Sequence, residues 1–308
     1  MSGAERSGTL DPGVWGVIPT PFAGPGDNLD EESLRRLAAF YEALGVTGLV
    51  ALGVFGESAR LSMAERCRVL DVVSGNSTLP LVVGITALAT APAIEETTTL
   101  AAATNGRVVA VMVQVNSADR GCLLAHFRLL HETTGLPIVV QDYPEVSGVT
   151  IAAPVLAAAL AQESWVAAVK AESPPTALAV AHLVEALKGV PVFGGLGGVG
   201  LLDELASGAA GAMTGFSFPE GLRDCVVAHS DGGYRRARAA LLPYLPLINF
   251  EQQPRIGLGI RKEAFRRRGI IRNAAVRSPG LPMPAQLSTQ LDRHLEAVPV
   301  EVSGAVRA

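Results

Sequence analysis

Trp165-Val-Ala-Ala-Val-Lys-Ala-Glu172 is a short apolar run with one lysine near its end. A run of this length, bounded by polar residues, predicts a strand buried on both faces, as in a parallel sheet covered by helices. Lys170 then stands where the strand emerges at one end of the sheet. The chain has three lysines among its 25 basic residues. Lys188 and Lys262 lie in charged, helical surroundings and read as solvated surface residues. Arginine stays protonated, whereas a partly desolvated lysine can lose its proton and attack a carbonyl. Two readings of Lys170 stand at this point: a nucleophile, or a lysine snorkelling out of a strand end.

Similar runs flank this one on both sides. Val14–Pro19, Val46–Gly53, Leu81–Thr86, Val108–Val115 and Leu136–Tyr143 precede it, and Val190–Gly195 and Ala209–Gly215 follow. Between them lie segments with helical spacing: Asp30–Leu44 after a turn from Asp27, one from about Ser62, Ala91–Thr104, Asp119–Thr134, Ala152–Gln162, Pro175–Leu187 and Leu201–Ser207. Ser62 and Glu65 have the spacing of a capping box. Eight strands alternating with helices predict an α/β protein with a (β/α)8 TIM barrel. A doubly wound open sheet is the rival, but no Gly-x-Gly-x-x-Gly turn follows the first strand. Gly194-Gly-Leu-Gly-Gly-Val-Gly200 has two readings, a phosphate cradle or a sharp barrel loop close to a ligand.

The barrel is expected over residues 13–220, with a C-terminal helical region packed on it over 221–300. Its helices read as Gly221–His229, Gly233–Leu242, Gln253–Arg267 and Ala285–Leu295. Arg261–Arg268 is basic, but Leu258, Ile260, Phe265 and Ile270 lie among the charges, which reads as an amphipathic helix with a solvated face. Residues 1–12 read as a disordered leader without a secretory signal. In a chain of 308 residues a net charge of −4 gives no drive toward nucleic acid or anionic membrane. Nor is any apolar run long enough to span a bilayer. Cys67, Cys122 and Cys225 are widely spaced and odd in number, which suits a reducing cytoplasm.

Catalytic side chains of a barrel come from the carboxyl ends of its strands. If side chains alternate, Lys170 and Glu172 point the same way, and so do Gln141 and Tyr143. A lysine with a carboxylate, an amide and a phenol makes a candidate Schiff-base site. The plainer readings are a salt-bridging loop residue for Glu172 and loop packing for Tyr143. His126, His131, His182, His229 and His294 lie mostly within helices, show no ligand spacing and read as structural.

Gly16-Val-Ile-Pro-Thr-Pro-Phe22, Gly53-Val-Phe-Gly-Glu-Ser58, Val169-Lys170 and Gly208-Ala-Ala-Gly-Ala-Met-Thr-Gly215 carry a resemblance. Over about Val14 to Leu295 the chain resembles the dihydrodipicolinate synthase and N-acetylneuraminate lyase superfamily of Schiff-base barrels. The resemblance implies a homotetramer, often a dimer of dimers, and places Lys170 where the family forms an imine with a 2-oxo acid. It also implies contacts to substrate from Val54, Phe55, Gly56, Glu57, Ser58, Gly195, Met213, Thr214 and Gly215. The departures are specific. Val54 and Phe55 occupy the positions of two threonines, Gln141-Asp142 that of a tyrosine-asparagine pair, and Val115 that of a tyrosine donated across a subunit interface. The relay hydroxyls are missing, which argues against lysine-pathway synthase activity. Val140-Gln-Asp-x-Pro, Lys-x-Glu-Ser-Pro, Gly-Ala-Met-Thr-Gly and Leu247-Ile-Asn-x-Glu251 look more like the 2-keto-3-deoxy-L-arabonate dehydratase branch.

The expected function is therefore a class I lyase, dehydratase or aldolase, acting on a small 2-keto-3-deoxy sugar acid. Lys170 forms the imine, and Glu172 is the first candidate base, with Tyr143 the second. The amides of Gly56 to Ser58 and the Ser58 hydroxyl bind the carboxylate. No cofactor or metal is expected, because the imine is the electron sink. Two alternatives stay open: a pyruvate–aldehyde condensing enzyme, and a barrel that binds sugar acids or 2-oxo acids without turnover.

Overall fold

Strands made of Leu, Val, Ala and Gly, such as Gly48–Ala51 and Leu81–Gly84, have no polar face to show to water. They are covered on both sides, and a sheet that closes on itself leaves no edge exposed. In the computed structural model, which describes residues 8–24, 28–104 and 106–300, eight parallel strands form a closed barrel in chain order. They are β1 Gly13–Val17, β2 Gly48–Ala51, β3 Leu81–Gly84, β4 Val108–Gln114, β5 Ile138–Asp142, β6 Val166–Ala171, β7 Val192–Gly194 and β8 Gly211–Thr214.

The helices between them are α1 Glu31–Leu44, α2 Met63–Gly75, α3 Thr90–Ala102, α4 Arg120–Thr134, the single turn α5 Pro144–Ser147, α6 Ala153–Leu160, α7 Thr176–Ala186 and α8 Leu201–Ala206. Local chemistry sets their starts. Asp30 accepts from the Ser33 N–H at 3.0 Å to cap α1, and Ser62 with Glu65 forms the expected capping box on α2. Asp27, the start of the predicted turn, lies outside the described residues.

After β8 the chain is helical: α9 Pro219–Leu241, α10 Leu245–Glu251, α11 Gly257–Arg267 and α12 Ser288–Ala297. Gly232 and Gly233 interrupt α9 with non-helical dihedrals, at the boundary the two predicted segments left between them. Helix α11 begins four residues later than the pattern predicts, because Pro254 and a left-handed Arg255 (φ 71°) precede it. Among the described residues no helix is long and apolar enough to cross a membrane.

Two sequence expectations fail here. The first seven residues of the predicted leader lie outside the described residues, but Leu10 is buried and its N–H donates to Ala167 O at 3.1 Å. That stretch is too short to show a period. Lys262 is not a solvated surface residue: it is fully buried, and its ammonium pairs with Glu57, donates to Ala275 O at 2.8 Å and lies 4.3 Å from the centre of the Phe22 ring. Burial lowers its pKa to about 8, against the opposing pull of Glu57.

Register places the chemistry. Gln114 pairs with Gln141, Gln141 with Lys170, and Lys170 with Phe193. Parallel partners point to the same side of a sheet, so the two amides and the lysine form one layer at the carboxyl end of the barrel.

Candidate active site

Lys170 is held at the end of β6 with its side chain almost wholly buried and its Nζ 3.1 Å from Glu172 Oε2. Leaving a buried ammonium unpaired is costly, and Glu172, two residues on and on the same face, supplies the partner. The glutamate is fixed from two further directions. Gln141 Nε2 donates to the same Oε2 at 2.7 Å, and the Leu196 N–H donates to Oε1 at 3.2 Å. Gly195 allows this approach: a Cβ there would sit 2.4 Å from Glu172 Cγ and Oε1.

A cavity of about 320 Å³ opens over these groups. Val54, Phe55, Tyr143, Thr214 and Gly215 line it, together with Lys170, Glu172 and Gln141. Gly215 is required because a Cβ would fall 2.1 Å from the Phe55 ring. Thr214 accepts the Gly197 N–H at 2.7 Å, tying the loop after β7 to the end of β8. Tyr143 donates to Glu145 at 3.4 Å, and burial, aided by Glu172, raises its pKa to about 12. A phenol so raised keeps its proton, which suits a donor better than a base.

Four expected residues are elsewhere. Met213 alternates with Thr214 on β8 and is buried in the core. Gly56 lines neither this cavity nor its neighbour, and its carbonyl accepts from Thr20 Oγ1 at 2.6 Å. Glu57 is tied to Lys262, to Arg60 at 2.9 Å and to the Arg277 N–H at 2.9 Å, so its carboxylate is structural. Glu57 and Ser58 line a neighbouring cavity of about 280 Å³ that shares Val54, Arg60 and Gln141 with the first. The Ser58 hydroxyl is buried there without a hydrogen-bond partner among the described residues.

The motif reading left Arg60, Glu251, Arg255 and Arg261 out of the site, although all four line the lysine cavity. Glu251 is buried between Ser217, with which it hydrogen bonds, and Arg261 Nε at 3.3 Å. Burial raises its pKa to about 7. Asp142 turns away from Gln141 and is buried, with neither oxygen hydrogen-bonded among the described residues. Burial first, and Glu172 second, push it up to about 6. The described non-glycine residues with positive φ are Leu52, Glu57, Leu196 and Arg255, and each lines one of the two cavities. Strained backbone thus collects at this end of the barrel. His126, by contrast, bonds Thr90 at 2.9 Å between helices and lines neither cavity.

An eight-stranded parallel barrel with a buried lysine–glutamate pair at its carboxyl end defines a class of carbonyl-handling barrel enzymes. The chain belongs to the dihydrodipicolinate synthetase family, whose model matches residues 12–298, and it is a Schiff-base lyase of that family. It is 31% identical to the L-2-keto-3-deoxyarabonate dehydratase of Azospirillum brasilense over 290 residues, 88% of either chain. It is 32% identical to the 4-hydroxy-tetrahydrodipicolinate synthase of Methanothrix thermoacetophila over 240 residues, 77% of this chain and 80% of that one. A crystal structure of dihydrodipicolinate synthase from Rhodopseudomonas palustris superposes with a TM-score of 0.86 at 28% identity, covering 95% of this chain and all of the other.

Proposed function

We propose that the protein dehydrates a 2-keto-3-deoxy sugar acid through an imine on Lys170. The observation that carries this is the Lys170–Glu172–Gln141 arrangement, in which one carboxylate oxygen faces both the amine at 3.1 Å and an amide donor at 2.7 Å. Glu172 takes the proton that Lys170 must lose before it attacks C2 of the 2-oxo acid. Glu172 returns that proton to the carbinolamine hydroxyl, which leaves as water and gives the protonated imine. Glu172 then removes a proton from C3, and the enamine expels the C4 hydroxyl, which leaves as water with a proton from Tyr143. Tautomerisation and hydrolysis free the lysine.

Dehydration is favoured over condensation because Val54, Phe55, Val115 and Gln141 place no hydroxyl where the synthases' relay stands. The dehydratase relative, matched over 88% of the chain, supports the same choice. The homology to synthases favours pyruvate–aldehyde condensation as a second reading, which shares the imine but needs that relay. Retro-aldol cleavage starts from the same imine but deprotonates the C4 hydroxyl and breaks the C3–C4 bond, in place of C3 deprotonation and loss of the hydroxyl. The site sits in a cytoplasmic enzyme on this reading, with free thiols at Cys67, Cys122 and Cys225. We include a homotetramer in the proposal: Val54, Leu88 and Val146, 47%, 39% and 42% exposed, rim the second cavity as an apolar patch that another copy would cover.

Product analysis by NMR tests the reaction. With 2-oxo-3-deoxy-pentonate as a probe of the reaction type, a dehydratase gives 2,5-dioxopentanoate. Pyruvate with a two-carbon aldehyde would instead identify an aldolase, and turnover of pyruvate with an added aldehyde only would identify the condensing enzyme.

A further inference from the structure

Arg255 holds a backbone conformation that its residue type avoids. Its φ is 71°, in the left-handed region where glycine rests freely and a side chain is strained. The residue is exposed at the mouth of the Lys170 cavity, and among the described residues it makes no hydrogen bond or ion pair. A strained, unpaired arginine at a cavity mouth gives the fold nothing that glycine would not give more cheaply.

Its surroundings share its sign. Arg60 and Arg261 line the same cavity, and each gives only part of its guanidinium to a carboxylate, Arg60 to Glu57 at 2.9 Å and Arg261 to Glu251 at 3.3 Å. The acids that line the cavity are largely occupied. Glu172 is paired with Lys170, Glu251 is buried against Ser217 and Arg261, and Glu145 accepts from Tyr143. The wall after α10 therefore presents positive charge to the cavity. It is fastened to the catalytic loop by Gln252 Nε2, which donates to Leu196 O at 2.7 Å.

We infer that the ligand of this site carries a second anionic group remote from its 2-oxo acid end, held at the mouth by Arg255 with Arg60 and Arg261. The ligand class is a 2-oxo-3-deoxy acid ending in a carboxylate or a phosphate. Guanidinium groups bind both through charge-assisted, often bidentate, hydrogen bonds. The assignment of which end lies at the mouth rests on the imine reading.

The test compares two five-carbon 2-oxo acids that differ only at the far end, 2-oxoglutarate and 2-oxopentanoate, by calorimetry. The wild type is expected to bind 2-oxoglutarate about tenfold or more tightly. In Arg255→Gly, which relieves the left-handed strain and so folds without penalty, the ratio should fall to about twofold or less. A 2-oxo-3-deoxy sugar acid with a terminal phosphate, measured against its unphosphorylated parent, separates the two sources of charge. Equal affinities in the wild type for every such pair, or a ratio unchanged in Arg255→Gly, overturns the inference. Borohydride trapping with pyruvate, which has no far end, is read alongside. An adduct without the affinity ratio removes only this inference, whereas the ratio without an adduct removes the imine and leaves the anion site.

Discussion

Gln141 Nε2 lies 2.7 Å from Glu172 Oε2, the same oxygen that faces Lys170 Nζ at 3.1 Å. The amide fills a strand-end position where the family pattern has a phenol. It cannot relay a proton, but it can orient the carboxylate proposed to do so. Gln141→Leu should lower kcat by about 10- to 100-fold with a smaller change in KM, because the base is present but no longer aimed. Steady-state kinetics on the folded variant checks this, and an equal loss in kcat and 1/KM would assign Gln141 to binding instead.

Glu172→Gln keeps the shape and removes the proposed base. The account predicts a fall of about 10²- to 10⁴-fold in exchange of the pyruvate methyl protons for deuterium, followed by NMR in D2O. Exchange at the wild-type rate would move the base to another residue.

Gly195→Ala introduces a methyl group 2.4 Å from Glu172 Cγ, so the carboxylate must shift away from Lys170. Activity should fall by about 10²-fold, since an ångström of misplacement is worth that much. The melting temperature should change little, because the clash is with a side chain at a cavity wall. A variant equal to the wild type in rate would show that the Glu172 position is not critical.

Glu251 gives the protein a pH-dependent stability. Burial raises its pKa from 4.5 to about 7, so between these values the folded state holds a proton that the unfolded chain has released. The stability it contributes is fully present below the lower value and is lost as pH rises through about 7. Asp142 and Glu204, raised by burial to about 6 and about 7, act in the same direction. Glu251→Gln should therefore flatten the fall in denaturation midpoint between about pH 5 and pH 7. A slope as steep as that of the wild type would contradict the assignment.

Lys262→Met leaves Glu57 buried without its ammonium partner and should cost about 3–5 kcal/mol in urea unfolding. Loss of less than about 1 kcal/mol would mean that the pair is dispensable. The double variant Lys262→Met with Glu57→Leu should recover part of the loss.

What the sequence discloses and what it hides follow from range. Strands buried on both faces appear as unbroken apolar runs, so the barrel, Lys170 and the Lys170–Glu172 spacing are legible locally. The period of two also contains the Met213 correction, since Met213 and its neighbour Thr214 cannot both face the cavity. Lys262 is different. Its partner Glu57 is 205 residues away, and the charges of Arg261 and Glu263 beside it suggest a surface. The available signal was its spacing of three from both Gly259 and Phe265, which puts it on the buried side of α11. Arg255 and Arg261 reach the cavity through the docking of the C-terminal helices on the barrel, a relationship with no local pattern.

The central claim is that Lys170 forms an imine with a 2-oxo acid. Intact mass after borohydride reduction in the presence of pyruvate tests it most directly. The account predicts one pyruvyl adduct per chain on the wild type, mapped to Lys170 and lost in Lys170→Ala. A folded wild type with no adduct, or an adduct that persists in Lys170→Ala, would contradict it.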